Sequence, residues 1–261
     1  MLASEIQYKP VEMMAVAASR VLEDKKSVFV GTGLPMIAAI LAQKTHAPEL
    51  MMVFESGGIN PRVPTLPLGV GDSRTFYKAV MAGSMCDVVE AAQAGYLDFG
   101  FLGGAQMDRF GNLNSTCIGP YEKPKVTFPG SGGANDIGSI CWRTIITTRH
   151  EKRRFAEKVD FVTSPGYLTG PGAREAAGLP RGTGPYRVVT DLCVLGFDEK
   201  TKSMMLLSVH PGVTVDQVVE NTGFKLIIPD KVATTSPPTA LELKLIREEI
   251  DPKGIYIGGK E

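Results

Sequence analysis

The chain has 261 residues, 28 basic and 28 acidic side chains, three histidines and four cysteines. That length buries a sizeable core and fits one large α/β domain over residues 1–261, while the cancelled charge supplies no net field to draw nucleic acid or an anionic membrane. No apolar stretch reaches the roughly 18 to 20 residues of a membrane span, and MLASEIQYKP has no basic segment leading into an apolar one.

In chain order, PVEMMAVAASRVL repeats its apolar positions at helical spacing, with Pro10 suited to the first turn. SVFVG reads as a short buried strand, GTGLP as a turn, PMIAAILAQKTH as a helix able to pack closely on a sheet, and LMMVF as a second strand. That order is the pattern of an open, mostly parallel sheet with helices across its faces, a three-layer α/β fold. It continues with a helix in MCDVVEAAQAG stopped by Gly95, a strand in DFGFLGG, and KVTFPGSGGAND as a strand feeding a glycine turn. RTIITT, VDFVT, YRVVTDLCVLGF and MMLLSV are further strands, the last two forming an antiparallel hairpin about DEKTKS. VTVDQVVENTGF carries a short helix, KLIIPD a strand, and TALELKLIREEI a final amphipathic helix. Between Ser164 and Pro185, Gly and Pro are so frequent that the segment reads as a long ordered loop or a flexible flap.

Cys86, Cys117, Cys141 and Cys193 lie far apart, with no CxxC pair, so buried free thiols and a reducing cytoplasm are expected. His46, His150 and His210 have no spacing suited to coordination, and no metal site is expected. GSGGA lacks the GxSxG elbow of a serine hydrolase, and neither GTGLP nor LGGAQ completes a dinucleotide fingerprint.

Ligands of parallel sheets collect beyond the carboxyl ends of the strands. Three loops share that address: ESGG at 55–58, LGGAQ at 102–106 and GSGGAND at 130–136. Glu55, at the end of an apolar run, has the chemistry of a nucleophile, a general base, a metal ligand or a helix cap. The glycines beside it let backbone approach a bulky group and turn peptide N–H groups toward a cleft, where they can stabilise an oxyanion.

On the strings VGTGLP, HAPEL, VFESG, VGD, FLGGAQMDRFGNLNST, GSGGAN, HEKRRF, VDFVTSPGYLTGPGAREAAGLP, FDEKTK, ENTGF and LIREEIDP, the chain resembles the β subunits of the family I coenzyme A transferases over nearly its whole length. The resemblance implies the three-layer fold of those enzymes and a ping-pong exchange of coenzyme A between small carboxylic acids. In it Glu55, with motif neighbours Ser56 and Gly57, is the carboxylate that forms first an acyl anhydride and then a glutamyl-CoA thioester. It further implies oxyanion donors among the backbone N–H groups of Gly132, Gly133 and Ala134. Gly103, Gly104 and Gln106 form a second lining loop, where Gln106 either binds substrate or completes a structural turn. Arg62, in the divergent stretch GINPRVPTLPLGVGD, has the fork to receive the far carboxylate of a dicarboxylic acid, or is simply solvated.

The partners so implied are an α subunit, an acyl-CoA and a carboxylic acid, with the coenzyme A thioester as substrate and no permanently bound cofactor. HEKRRF reads as a solvated helix face or as a contact to the partner or to coenzyme A phosphates. Two other functions fit: a thioester or ring-opening C–C hydrolase on the same fold, with Glu55 as base, and a non-catalytic coenzyme A-binding subunit.

Overall fold

The computed structural model describes residues 7–258, which fall into two compact units: one of residues up to Val88 together with Ser236 onward, the other Val89–Thr235. The first unit opens with α1 (Pro10–Ser19), whose residues from Glu12 to Ser19 are all buried. A helix apolar on every side belongs inside a core. After β1 (Ser27–Phe29) comes α2 (Leu34–Lys44), then β2 (Met51–Val53), β3 (Gly58–Ile59) and β4 (Met81–Ala82). β1 and β2 are parallel, with Phe29 opposite Val53, while β3 and β4 return antiparallel, so β4 forms the free edge.

The C-terminal helix, Ala240–Lys244, runs on as a π-helical turn over Leu245–Ile250. Two forked pairs tie it to α1: Arg247 holds the buried Glu12 at 2.6 and 2.8 Å, and Arg20 holds Glu242 at 2.9 and 2.7 Å. Bidentate geometry makes these stronger than ordinary surface pairs.

The second unit follows α3 (Met85–Gln93) with β5 (Phe99–Leu102), β6 (Gln106–Met107), β7 (Leu113–Asn114), β8 (Cys117–Ile118), β9 (Val126–Thr127) and α4 (Ala134–Ile140). Then come β10 (Arg143–Thr147), α5 (Ala173–Ala176), β11 (Pro185–Val189), β12 (Cys193–Phe197), β13 (Met204–Val209), α6 (Val215–Glu220) and β14 (Ala233–Thr234). β5, β10 and β11 are parallel; β12 and β13 add antiparallel, and β14 parallel. α4 lies close on β5 because Gly100 has no side chain, a Cβ there falling 2.4 Å from Ile137 Cγ2.

Several expectations need correcting. YRVVTDLCVLGF is two strands, because Thr190 Oγ1 accepts the N–H groups of Leu192 and Cys193 at 3.1 and 3.0 Å and turns the chain. VDFVT is not a strand: only its end bonds to Leu113, whose own strand is two residues long. KLIIPD makes a single bridge, Met205 to Ile227, before Pro229 removes the next donor. Cys117, Cys141 and Cys193 are buried as expected, but Cys86 is exposed. HEKRRF is a turn rather than a helix face, with Glu151 bonding Arg153 and Arg154 while His150 and Phe155 are buried. The 164–185 segment is ordered about the buried Arg174.

His150 sits between Thr190 Oγ1 at 3.2 Å and Thr222 Oγ1 at 3.0 Å, stacked on Phe155 at 4.0 Å. Burial pushes its pKa down to about 4, with Asp191 opposing weakly. The folded state therefore keeps this ring neutral where the unfolded chain takes up a proton. Its contribution is intact above about pH 6.5 and is lost as pH falls toward 4, by roughly 3 kcal/mol. Urea midpoints measured from pH 7.5 to 4 should fall accordingly in the wild-type chain and fall less steeply in His150→Gln.

Candidate active site

β1 and β2 run parallel, with Val30 N–H bonding Val53 O at 2.9 Å, so both strands deliver their following residues to one edge. Phe54 is fully buried and Glu55 comes next, half-buried, in a tight turn where Gly57 N–H bonds Phe54 O at 3.0 Å. Gly57 has φ +112°, and a Cβ on it would fall 2.2 Å from Gly83 O. Gly58 is tighter still, its Cβ position 1.9 Å from Thr75 O. No side chain fits there without moving backbone. Gly58→Ala is thus expected to destabilise by about 1–3 kcal/mol, readable as a lower urea midpoint at unchanged slope.

The turn is held from the side by residues that carry no local sequence signal of their own. Ser56 Oγ lies 3.1 Å from Thr75 Oγ1, which donates to Asp72 O at 2.7 Å. Asp72 in turn accepts from Arg74 N–H and Nε at 3.0 and 2.8 Å and from Leu68 N–H at 3.2 Å. The Arg74 guanidinium holds the Asp72 carboxyl below the usual carboxylate range. The Glu55 carboxylate itself has no hydrogen bond or ion pair among the described residues.

Arg62 is exposed and lines a cavity of about 540 Å³ with Gln43, Lys44, Asn60, Tyr77 and Lys78, to which Glu55 does not contribute. Asn60 N–H bonds back to Met52 O at 2.6 Å, so the chain has already turned away from the Glu55 end of β2. Within the first unit Glu55, Ser56 and Gly57 are brought together, and Arg62 is not brought to them.

In the second unit the other two loops are joined to each other. Gln106 Oε1 accepts from Asn114 Nδ2 at 2.7 Å and Asp160 N–H at 3.0 Å, while its Nε2 donates to Asp160 Oδ2 at 3.1 Å. Both polar atoms of its amide are thus bonded within the protein. Ser115, next to Asn114, exchanges bonds with Gly130: Oγ to O at 2.9 Å, and Gly130 N–H to Ser115 O at 3.0 Å. Arg154 Nη1 holds Gly104 O at 3.2 Å. The neighbouring Asn112 takes Gly166 N–H and Leu168 N–H on Oδ1 and gives Nδ2 to Asp108 and Leu168 O, which explains the long MDRFGNLNST string as scaffolding.

At the start of α4, Ala134 N–H bonds Ser131 O and Asn135 N–H bonds Ser131 Oγ, both at 3.0 Å. Ala134 therefore has no free donor in this conformation. The N–H groups of Gly132 and Gly133 are not taken up by any protein acceptor among the described residues. Among the described residues there is no cluster of three or more His, Cys, Asp or Glu that could hold a metal ion, and no helix long and apolar enough to cross a membrane.

The chain is similar to known proteins over most of its length. The chain is 43% identical to the β subunit of glutaconate CoA-transferase of Acidaminococcus fermentans, over 98% of this chain and 97% of that protein. The crystal structure of glutaconate coenzyme A-transferase from the same organism matches with a TM-score of 0.92 over 96% of this chain and 98% of that chain. Similarity extends at 41% identity to the β subunit of 3-oxoadipate CoA-transferase of Pseudomonas knackmussii, over 92% of both chains. At 32% identity it reaches the cholesterol ring-cleaving hydrolase IpdB subunit of Rhodococcus jostii, over 85% of this chain and 83% of that one. The family model described as Coenzyme A transferase matches residues 11–221, and with a carboxylate left unpaired at the end of a parallel strand, this chain belongs to the coenzyme A transferase family.

Proposed function

We propose that the chain is the β subunit of a two-subunit coenzyme A transferase that exchanges coenzyme A between small carboxylic acids, dicarboxylic acids foremost, with Glu55 as nucleophile. The observation that carries the reading is a half-buried carboxylate, with no partner of its own among the described residues, on a turn too tightly packed to shift. A Glu55 oxygen attacks the thioester carbonyl carbon of the donor, the C–S bond breaks, and coenzyme A thiolate leaves an acyl-glutamyl anhydride. The thiolate then attacks the glutamyl carbonyl carbon, releases the donor acid, and leaves glutamyl-CoA. An acceptor carboxylate reverses both steps, giving a new acyl-CoA and the free carboxylate. The covalent route divides one difficult exchange into easier stages.

Each tetrahedral intermediate carries an oxyanion, and the N–H groups of Gly132 and Gly133 are the donors left for it in the GSGGAN loop. Ala134 serves as the start of α4 instead. The glycine loops are held by Gln106, Asn114, Ser115 and Arg154, whose task is positioning. No permanent cofactor is required by this chemistry, and the cytoplasm is the compartment that suits free thiols.

The test is chemical trapping. The assembled enzyme, incubated with an acyl-CoA and then with hydroxylamine, should carry a hydroxamate on the peptide containing Glu55, and borohydride should convert the same residue to the alcohol. Similarity to the ring-cleaving hydrolase subunit supports a second reading, in which Glu55 delivers a proton or water and no covalent species forms. Under that reading the peptide stays unmodified while thioester or carbon–carbon hydrolysis proceeds.

A further inference from the structure

The residues after the C-terminal helix take no part in the scheme above, and the aspartate of LIREEIDP has no role in it. That residue, Asp251, is 4% exposed and accepts the backbone N–H groups of Ile255, Tyr256 and Ile257 at 2.7, 2.9 and 2.9 Å. Hydrogen bonds to a carboxylate are roughly twice as strong as neutral ones. Gly254 N–H also returns to Asp251 O at 2.9 Å and Ile257 is buried, so the segment is wound into a fixed loop. Tyr256 is what this loop presents. Its hydroxyl donates to Pro67 O at 2.8 Å, and its ring packs on Gly33, where a Cβ would stand 3.7 Å from the ring atom Cδ1. A single side chain near the end of the chain therefore touches both the GTGLP turn and the divergent stretch GINPRVPTLPLGVGD.

Both segments border the Glu55 turn. The Val30 N–H to Val53 O bond at 2.9 Å brings GTGLP out of β1 at the edge where Glu55 leaves β2. Leu68, next to Pro67, gives its N–H to Asp72, whose carbonyl takes the Thr75 hydroxyl that lies 3.1 Å from Ser56 Oγ. Gly31 and Gly69, one in each segment, are half-buried, yet a Cβ on either would meet nothing within 4 Å. Each faces open space. We infer that Tyr256 is a positioning residue for the acid substrate: it holds the GTGLP turn and the 62–72 loop as walls for the acyl group carried on Glu55, and so sets the chain length of acid exchanged. This rests on the reading of Glu55 as nucleophile given above. In the anhydride the acyl carbon is bonded to a Glu55 oxygen, so the rest of the acid must lie against what stands beside that carboxylate. One methylene in a fitted pocket is worth about 10–200-fold in discrimination. A wall free to shift accepts several lengths, and the loss appears in selectivity before it appears in chemistry.

The test assays the assembled α/β enzyme for transfer of coenzyme A from acetyl-CoA to succinate, glutarate or adipate, and takes the ratio of kcat/KM between the preferred acid and its neighbours. Tyr256→Phe removes the bond to Pro67 O and keeps the ring on Gly33. It should lower that ratio about fivefold, the worth of one hydrogen bond, while kcat with the preferred acid and the thermal midpoint stay at wild-type values. Tyr256→Ala frees both segments, and its ratio should fall further, by about 20-fold. Lys253→Ala, at an exposed position of the same loop, should change nothing. Hydroxylamine should still trap Glu55 in every variant. A wild-type ratio in Tyr256→Phe, or equal losses with all three acids, overturns the inference and leaves Glu55 as nucleophile, as does a wild-type enzyme that exchanges the three acids without preference. Should Tyr256→Ala fail to assemble, Tyr256→Phe decides alone. Where the wild-type enzyme traps no hydroxamate, or exchanges none of the three acids, the reading beneath fails, and this inference with it.

Discussion

Glu55→Ala and Glu55→Gln, assembled with the α subunit, are expected to lower kcat by at least about 10³-fold, the scale on which removing a covalent nucleophile acts. Neither change should disturb the fold. The side chain is half-exposed and bonds to nothing among the described residues, so its removal leaves no orphaned donor, and stability should stay within about 0.5 kcal/mol of wild type. That separation makes the experiment decisive, since a fall in turnover cannot be charged to unfolding. Glu55→Asp draws the carboxylate back by one methylene on a turn that cannot follow it, because Gly57 and Gly58 are wedged against Gly83 and Thr75. It should therefore behave much more like Ala than like wild type. Coenzyme A exchange is followed by mass spectrometry of the acyl-CoA pool, with KM determined alongside kcat. Turnover of Glu55→Ala within a few fold of wild type would remove this carboxylate from the chemistry, and a non-catalytic binding subunit would then be the better description.

The order of strands and helices was legible because its signals are local. Apolar runs marked β1, β5, β10 and β13, with β-branched residues in all but β5, and Gly95 closed α3 where expected. The two-residue strands were not, since pairs such as Leu113 with Asn114 are fixed by the partners they meet rather than by their own pattern. Glu55 could be picked out as a charge at the end of an apolar run. Its supports, Asp72, Thr75 and Gly83, could not, because loop side chains meet only after the chain has turned back on itself. Gln106 shows the opposite limit. An amide in a glycine loop has the same letters whether it faces a ligand or is bound to Asn114 and Asp160, and only the geometry distinguishes them. The Ala134 N–H is a like case, since only the geometry shows that Ser131 O takes it.

Arg174→Met should lower the stability of the folded chain by roughly 3–5 kcal/mol, since several buried acceptors lose their donor at about 1–3 kcal/mol each. Arg174 is 2% exposed and has no carboxylate beside it among its hydrogen-bond partners. Five oxygens take that place. Nη1 donates to Pro165 O and Gly166 O at 3.0 and 2.8 Å, and Nη2 to Gly138 O, Ser139 O and Thr183 Oγ1 at 3.1, 2.9 and 2.8 Å, while Nε finds no acceptor. Gly138 and Ser139 lie in the last turn of α4, where carbonyls lack helical partners and carry partial negative charge, so the guanidinium caps the helix as well as pinning the Gly- and Pro-rich segment. Methionine fills much of the volume and carries no charge to bury, yet it leaves those carbonyls unanswered. Lysine keeps the charge but cannot span both pairs of carbonyls with one ammonium, so Arg174→Lys should recover only part of the loss. Because α4 begins directly after Gly132 and Gly133, a loosened helix should also lower kcat in the assembled Arg174→Lys enzyme, at temperatures where it remains folded. Urea midpoints and kcat measured on both variants test the two effects separately. Stability of Arg174→Met within about 1 kcal/mol of wild type would mean that the segment from Ser164 to Pro185 is held by something other than this arginine.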